Sequence, residues 1–319
     1  MITPSPRAKQ HDLIGRQTLA KLDEKLQDLP MLPMVVSRLI TLDPDSDAYF
    51  DELLTLAETD PPFAARILNM ANSASSHPSK QIARLSNAIV RVGSRAIANL
   101  VSTMAVMRVF VPTTSGQRFL WAHAIEVAVC SRIIARNREV HGLSEEAYLV
   151  GLLHDIGHFV MFDKSPDDLT RIEATNWRSP TDIISAERDL CGFTHSELGW
   201  HICHHWELPD LVADVVHNHH TYDPQRYADQ ELDHTAQELI RIVQMGDILS
   251  TMLFRDPNWL NLDEEALEAR LLEDCMHPEW PSPPMSAREL LGHIEQIHEE
   301  SQSLIHSLGI YPRPPRWSR

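Results

Sequence analysis

The chain has 319 residues, of which 43% are apolar and 23% charged, which is typical of a folded globular protein rather than a disordered one. Its formal net charge is −17. A surface this acidic repels phosphate backbones, so we expect no direct nucleic-acid binding. The sequence offers neither an apolar signal-peptide core at the N-terminus nor the roughly 20 apolar residues of a membrane span, which predicts a soluble, cytoplasmic protein without membrane contact.

Nearly every segment between Leu19 and Phe254 has helical periodicity, and alternating β-branched runs are missing. The sequence therefore predicts an all-α fold. In chain order, the predicted helices lie near residues 53–57, 63–74, 85–92 with Gly93 as C-cap, 94–110, 118–137, 145–163, 180–190, 195–206, 209–219, 235–254 and 287–308.

One internal boundary stands out, because proline, threonine and glycine interrupt the helical pattern from Val111 to Gly116. We expect a flexible N-terminus over residues 1–18 and two helical parts of one domain over 19–112 and 117–255. A helical C-terminal extension over 256–319 follows. The four cysteines show no CxxC spacing, so they are expected to be buried, reduced thiols rather than disulfides or metal ligands.

The unusual residue is histidine, of which there are 18. The strongest local signal is Gly151-Leu152-Leu153-His154-Asp155-Ile156-Gly157-His158, where an apolar helix presents an imidazole and a carboxylate side by side. These are suitable ligands for a divalent first-row metal. A core histidine beside a helix-capping aspartate is the structural alternative for this pair taken alone.

Other helices carry polar residues that would be costly to bury without partners. His123 lies among apolar residues in the middle of a helix, and Asp247 lies in another with no arginine or lysine one turn away. His195 begins a helix, and His219-His220 end one. Side chains from several helices converge in helical bundles to hold metals, so five histidines and two aspartates are candidates for one site.

The order His123, His154-Asp155, Asp247 resembles the H…HD…D signature of the HD phosphohydrolase superfamily. His195 and the His219-His220 pair resemble the additional ligands of its binuclear HD-GYP branch. The N-terminal half is similar to HDOD domains. The segments that carry this likeness are Leu29-Pro30-Met31-Leu32-Pro33, residues 60–68 (DPPFAARIL), residues 69–74 (NMANSA), residues 85–93 (LSNAIVRVG) and Trp206-Glu207-Leu208-Pro209. The resemblance runs from about Leu29 to Leu253.

The resemblance implies a multi-helical HDOD/HD-type bundle that holds one or two divalent metal ions. Iron or manganese is favoured, with zinc as an alternative. The implied ligands are His123, His154, Asp155, His195, His219, His220 and Asp247. Asp155 is expected to bridge two ions, and His158 to orient a phosphate, which makes these two the candidate catalytic residues.

The sequence also departs from the enzymes of the superfamily. Thr221-Tyr222-Asp223-Pro224-Gln225 stands where cyclic-di-GMP phosphodiesterases have a glycine-tyrosine-proline loop. His158 replaces the lysine that follows the HDIG motif in that branch, and an imidazole can neutralise phosphate only when protonated. Phe119 stands where trinuclear members place a glutamate ligand, so a third metal is not expected.

Three functions remain open from sequence. The first is a bacterial HDOD signal-transduction module that acts through a protein partner or a nucleotide ligand, with its oligomeric state undetermined. The second is a metal-dependent phosphohydrolase or phosphodiesterase acting on a nucleotide or cyclic dinucleotide. The third is a redox or oxygen sensor, because histidine and carboxylate ligands suit iron. The lost loop and the acidic surface favour the first.

Overall fold

The computed structural model describes residues 26, 29–31, 46–59, 61–72, 82–138, 143–173, 175, 180–256, 258–276 and 283–311. Within these ranges the chain forms helices and no strand, which confirms the predicted all-α class. The predicted flexible N-terminus over residues 1–18 lies outside them, as do Asp60 and residues 73 and 74 of the helix predicted over 63–74.

The described α-helices are numbered here in chain order, and each is given with its bounds. They are α1 Asp47–Thr59, α2 Pro61–Ala71, α3 Leu85–Val92, α4 Ser94–Val109, α5 Ser115–Asn137, α6 Ser144–Leu153, α7 Ile156–Lys164, α8 Pro166–Glu173, α9 Pro180–Cys191, α10 His195–His205, α11 Asp210–Asn218, α12 Pro224–Asp229, α13 His234–Ile248, α14 Glu264–Arg270, α15 Ala287–Leu291 and α16 Ile294–Ser307.

Two predicted helices are each divided in the structure. The helix expected over 145–163 ends at Leu153 and starts again at Ile156, so His154 and Asp155 lie in a turn. The helix expected over 287–308 is divided by Gly292 and His293. Apolar periodicity continues across both turns, which is why the sequence pattern alone did not reveal them.

The predicted helix over 235–254 changes its winding before it ends. Its α-helical part, α13, stops at Ile248 and continues as a π-helical turn from Leu249 to Leu253. A π-turn inserts an extra residue into the helix and is frequent at functional sites. Here it begins at Leu249, two residues after the candidate ligand Asp247.

The described chain divides into two compact units. One contains residues 30–111, and its helices bury Leu53, Ile67, Ile89 and Leu100 completely. The other contains residues 1–29 and 112–319. It includes every residue of the candidate site, so the site is built within one unit.

Helix α5 is the centre of the larger unit, because every residue from Leu120 to Ala135 is buried. It starts three residues before the predicted position, since Thr114 and Gln117 form a capping box that satisfies the first backbone N–H groups. Helices α6, α13 and α16 pack against α5. The helices that carry His123, His154 and Asp247 therefore adjoin one another.

All four cysteines are buried and none forms a disulfide, as the sequence predicts. In the part of the chain that the structure describes, none of the helices combines the length and the apolar character needed to span a membrane.

Candidate metal centre

The turn between α6 and α7 brings His154 and Asp155 to the same point. Neighbouring side chains on a regular helix diverge by about 100°. Asp155 leaves the helical conformation, with φ −98° and ψ 19°, so its carboxylate faces the same centre as the His154 ring. The interruption of the predicted helix is thus what makes an adjacent His-Asp pair usable as two ligands.

Gly157 allows α7 to lie directly against the start of α10. A Cβ atom at this position would stand 2.0 Å from the carbonyl oxygen of His195, which is backbone and cannot move aside cheaply. The glycine two residues after Asp155 is therefore needed to bring His195 close to the carboxylate.

Asp155 lies at the junction of the candidate ligands. Its Oδ2 is 3.6 Å from Nε2 of His123 and 3.6 Å from Nε2 of His154. Its Oδ1 is 3.3 Å from Nε2 of His195 and 3.7 Å from Nε2 of His219. One carboxylate thus faces imidazoles from four helical segments.

Asp247 and His220 complete the cluster. Asp247 Oδ1 is 3.3 Å from His123 Nε2, and its Oδ2 is 3.9 Å from His220 Nδ1. His220 Nε2 is 3.1 Å from His195 Nε2. The structure therefore brings together all seven side chains that the sequence nominates as ligands. None of them exposes more than 9% of its side chain.

The hydrogen bonds of two ligands fix which ring nitrogen faces the centre. Nδ1–H of His154 donates to the Gly151 carbonyl at 2.7 Å, and Nδ1–H of His219 donates to the Val216 carbonyl at 2.7 Å. A carbonyl only accepts, so Nδ1 carries a proton in both rings, and the neutral form of each ring has its lone pair on Nε2. Bonds of this kind orient metal-binding histidines.

These lone pairs face other nitrogens at close range. His154 Nε2 is 3.2 Å from His123 Nε2, and His219 Nε2 is 3.1 Å from His195 Nε2. Two facing lone pairs repel each other, and a shared cation removes the repulsion. Nδ1 of His220 is also buried and has no hydrogen-bond partner among the described residues. The donor atoms therefore fit a bound cation.

The protonation states favour a metal ion over a proton as that cation. Burial lowers the pKa of His154 to about 4 and holds the pKa of His220 well below its usual value, so both rings are neutral at pH 7. Burial would raise the pKa of Asp155 and Asp247, but the neighbouring histidines outweigh it and keep both below their usual values. Neutral imidazoles and ionised carboxylates are the forms that bind metals.

The cluster contains two groups of donor atoms that share Asp155 and could each hold an ion. His123, His154 and Asp155 form one group whose ligand atoms lie within 4.8 Å of one another. Asp155, His195, His219 and His220 form a second such group. The shared Asp155 is where a bridging carboxylate belongs in a two-metal site. Nitrogen and carboxylate donors suit iron, manganese or zinc.

Sequence reasoning missed Glu187, a residue of α9 that is completely buried. Its carboxylate accepts hydrogen bonds from Nδ1 of His195 at 2.8 Å and from the His195 backbone N–H at 2.9 Å. This directs Nε2 of His195 to the centre. The available signal was the position of Glu187 on the same helical face as the apolar residues Ile183 and Cys191.

His158 lies between two carboxylates. Its Nδ1 is 3.3 Å from Asp155 Oδ2, and its Nε2 is 2.6 Å from Glu187 Oε1. Burial alone would lower its pKa, but these two carboxylates raise it to about 10. The ring is therefore an imidazolium at neutral pH and carries the charge that a lysine would carry here. Both N–H groups are already engaged, and the phosphate-orienting role of His158 stays a prediction.

Three nearby histidines lie outside the groups that could hold a metal. Nδ1 of His204 bonds the Trp200 carbonyl at 2.8 Å, and Nε2 of His205 lies 3.4 Å from the Leu29 carbonyl. His201 is likewise no member of these groups.

The fold and the site define a class: an all-helical protein whose buried histidine and aspartate cluster could bind divalent metal. The chain belongs to the HDOD family, because the sequence profile of the HDOD domain matches residues 29–222. This match ends before Asp247, the last candidate ligand.

The chain is also similar to a curated protein without an assigned function. An uncharacterised protein of Treponema pallidum (strain Nichols) is 25% identical over 213 residues. That match spans 65% of this chain but only 41% of the curated relative.

Solved structures share the fold. An HDOD domain protein of unknown function from Geobacter sulfurreducens superposes with a TM-score of 0.66 at 23% identity, covering 90% of this chain and 97% of its own. A Shewanella amazonensis SB2B protein, provisionally named a phosphohydrolase, gives 0.66 at 21% identity, covering 91% and 98%. A Marinobacter aquaeolei VT8 protein, provisionally named a signal transduction protein, gives 0.63 at 23% identity, covering 96% and 65%.

Proposed function

We propose that this chain is an HDOD signal-transduction module with a divalent metal in its buried centre, acting through a protein partner or a nucleotide ligand. The enclosure of the centre supports this function: no candidate ligand exposes more than 9% of its side chain. An anionic substrate would need an accessible ligand position and a free cationic donor, whereas both N–H groups of His158 are engaged. A metal held in this way stabilises one conformation of the domain.

A metal-dependent phosphohydrolase is the second candidate, favoured by the two groups of donor atoms that share Asp155. Bound divalent ions supply a water whose pKa is lowered toward neutrality. In this function Asp155 would hold both ions in place. His158 would donate from its imidazolium to a phosphate oxygen after releasing Asp155. Iron at the same donors would instead suit a redox or oxygen sensor.

The proposed location is the cytoplasm. Its support is the set of four buried cysteines that form no disulfide, which is typical of proteins kept in a reducing compartment.

The deciding experiment uses the full chain purified without a histidine tag. Elemental analysis is combined with hydrolysis assays on phosphodiesters, nucleotides and cyclic dinucleotides. We expect at least one equivalent of metal and no turnover. Turnover that a chelator and Asp155→Asn both abolish would establish the hydrolase instead. A protein that neither contains nor takes up Mn²⁺, Fe²⁺ or Zn²⁺ would overturn both. His204→Gln, outside the ligand groups, is the matched control.

A further inference from the structure

The hydroxyl of Ser250, in the π-turn after α13, bonds three partners. It lies 2.8 Å from Nδ1 of His123, donates to Oε2 of Glu126 at 2.6 Å, and accepts from Arg255 Nη2 at 2.8 Å. A carboxylate only accepts, so the single hydroxyl proton goes to Glu126. The hydroxyl oxygen therefore accepts from Nδ1–H of His123, so Nε2 is the ring nitrogen that faces the centre.

Glu126 and Arg255 form the outer part of this arrangement. Glu126 is 2% exposed, and its carboxylate also accepts a hydrogen bond from Arg255 Nη2. The Arg255 guanidinium lies over the Phe119 ring at 4.4 Å. Phe119 stands where trinuclear members of the superfamily place a glutamate ligand. In this chain its ring packs against the Arg255 guanidinium instead. We call Ser250, Glu126 and Arg255 the arginine anchor of His123.

The C-terminal segment, residues 258–310, holds Arg255 in position by contacting Phe254 and Asp256, the residues on either side of it. The Phe254 ring packs against Trp259 at 5.4 Å and against His298 of α16 at 5.6 Å. Asp256 pairs with Arg270 of α14 at 2.9 Å. The residue that completes the anchor thus depends on a part of the chain beyond the HDOD match, which ends at residue 222.

We infer that the arginine anchor positions His123 for metal binding, and that docking of the C-terminal segment thereby sets the metal affinity. The inference rests on the proposed function, because it concerns the same centre. It adds a specific regulatory connection: a conformation that withdraws Arg255 from Glu126 and Ser250 loosens a ligand of the metal. The side chains that act here are positioning residues and are not themselves ligands.

Ser250→Ala and Arg255→Met test the anchor through the dissociation constant of Mn²⁺ for the full chain. Ser250→Ala removes the acceptor of the His123 Nδ1–H without changing the charge. We expect about tenfold weaker Mn²⁺ binding, which is the lower end of the roughly 10–100-fold losses seen when a residue that orients a metal ligand is removed. Arg255→Met removes a positive charge near a cation site. Electrostatics alone predicts tighter binding, whereas the anchor predicts weaker binding by a few-fold. Unchanged or tighter binding by Arg255→Met overturns the inference.

Arg132→Met is the matched control. Arg132 lies on α5 and pairs with Glu300 of α16, so it also joins α5 to the C-terminal segment, but it does not contact Ser250 or His123. We expect its Mn²⁺ affinity to stay within twofold of wild type, because the contacts of Phe254 and Asp256 still hold Arg255 against the C-terminal segment when this pair is lost. Ser250→Ala/Arg255→Met should bind no more weakly than Ser250→Ala, because Arg255 acts through the hydroxyl. If Arg132→Met loses as much Mn²⁺ affinity as Arg255→Met, or if the two losses multiply in the double variant, the effect comes from general packing and the inference is overturned.

The ring proton of His123 gives a readout independent of metal. In metal-free protein with ¹⁵N-labelled histidine, the hydrogen-bonded Nδ1–H resonance should be present in wild type and Arg132→Met. It should be lost in Ser250→Ala and weakened by faster exchange in Arg255→Met. If wild type binds no ion, the proposed function fails, and this resonance alone decides the anchor. Its persistence in both anchor variants would refute the anchor even where metal binds.

Discussion

Two candidate ligands, which face different oxygens of Asp155, are oriented by buried carboxylates that are neutralised in different ways. His195 donates to Glu187, whose cation is the His158 imidazolium. His123 donates to Ser250 and through it to Glu126, whose cation is Arg255. The Glu187 side is complete within the HDOD match, whereas the Glu126 side takes its cation from beyond it.

This difference divides the site into two halves. The Glu187 half, with His195 and His158, is the fixed one, and the Glu126 half, with His123, Ser250 and Arg255, is the adjustable one. Glu187 accepts hydrogen bonds from the ring and the backbone of His195. Its cation, His158, also contacts Asp155, so these residues of the first half are all connected to the Asp155 carboxylate. On the other half, a serine hydroxyl intervenes and the arginine follows a π-turn. Local opening is easier at such irregular segments than in a regular helix.

Asp155 joins the two halves, so its loss should have the largest effect. Asp155→Asn keeps the size of the side chain but removes the charge that holds a divalent ion. We expect at least tenfold lower metal content, roughly 1.4 kcal/mol or more in binding. Thermal stability should also fall, because an ion at a hundredfold excess over its dissociation constant stabilises the fold by about 2.7 kcal/mol.

The Tm of this variant with and without chelator checks the prediction. If the centre holds no metal, the opposite is expected, since removing one charge from a buried cluster is neutral or stabilising. An unchanged or raised Tm, insensitive to chelator, would mean a metal-free interaction module.

Gly157→Ala should disrupt the packing around Glu187 and His195 more than the packing around His123. The added Cβ would meet the His195 carbonyl at 2.0 Å, so α7 and α10 must separate. We expect a loss of unfolding free energy near the upper end of the roughly 1–3 kcal/mol range for overpacking, together with weaker metal binding. Gly292→Ala, whose nearest contact would be 3.4 Å, is the control and should retain wild-type metal affinity. Denaturant titration and metal analysis of both variants test this.

The pH dependence of stability distinguishes the two compensating cations. The pKa of His158 is raised from its ordinary 6.5 to about 10, so its stabilisation is complete below pH 6.5 and declines as pH rises toward 10. Metal-free protein should lose about 2 kcal/mol between pH 7 and 8.5 from this group. Denaturant titration across this range provides the measurement. His158→Gln should abolish this slope; an unchanged slope would place its cause elsewhere.

On the acid side the sign is reversed. The pKa of His154 is lowered by burial to about 4, so the unfolded chain takes up a proton more readily than the folded one. Stability should therefore fall as pH drops from 6.5 to 4. His158→Gln should retain this acid-side loss.

The smallest expected effect is the difference between Glu187→Gln and Glu126→Gln. Glu187 bonds its ligand directly, so Glu187→Gln should weaken Mn²⁺ binding about tenfold, at the lower end for such partners. Glu126→Gln should weaken it less, because Ser250 still accepts from His123. Calorimetric titration of both variants tests the order. Glu197→Gln, whose carboxylate pairs with Arg188 near α10 without contacting a ligand, serves as the control. A larger loss in Glu126→Gln would reverse the assignment of the fixed half.

By itself, the sequence determined the all-α class, the buried cysteines and the identity of the seven clustered side chains. These depend on short-range signals, such as helical periodicity or a polar residue in an apolar stretch. His123 and Asp247 are examples, because an apolar helix has no reason to carry them without a partner. The HDOD family followed from the resemblance of short motif segments.

Only the tertiary structure shows which residues form hydrogen bonds with the clustered side chains. Glu187 and Glu126 look like ordinary helical glutamates in the sequence, and only packing places one against His195 and the other behind Ser250. The same holds for His158, whose charge comes from two carboxylates on different helical segments. The physical reason is that periodicity reports the face on which a residue lies, whereas hydrogen bonds and pKa values depend on which faces meet.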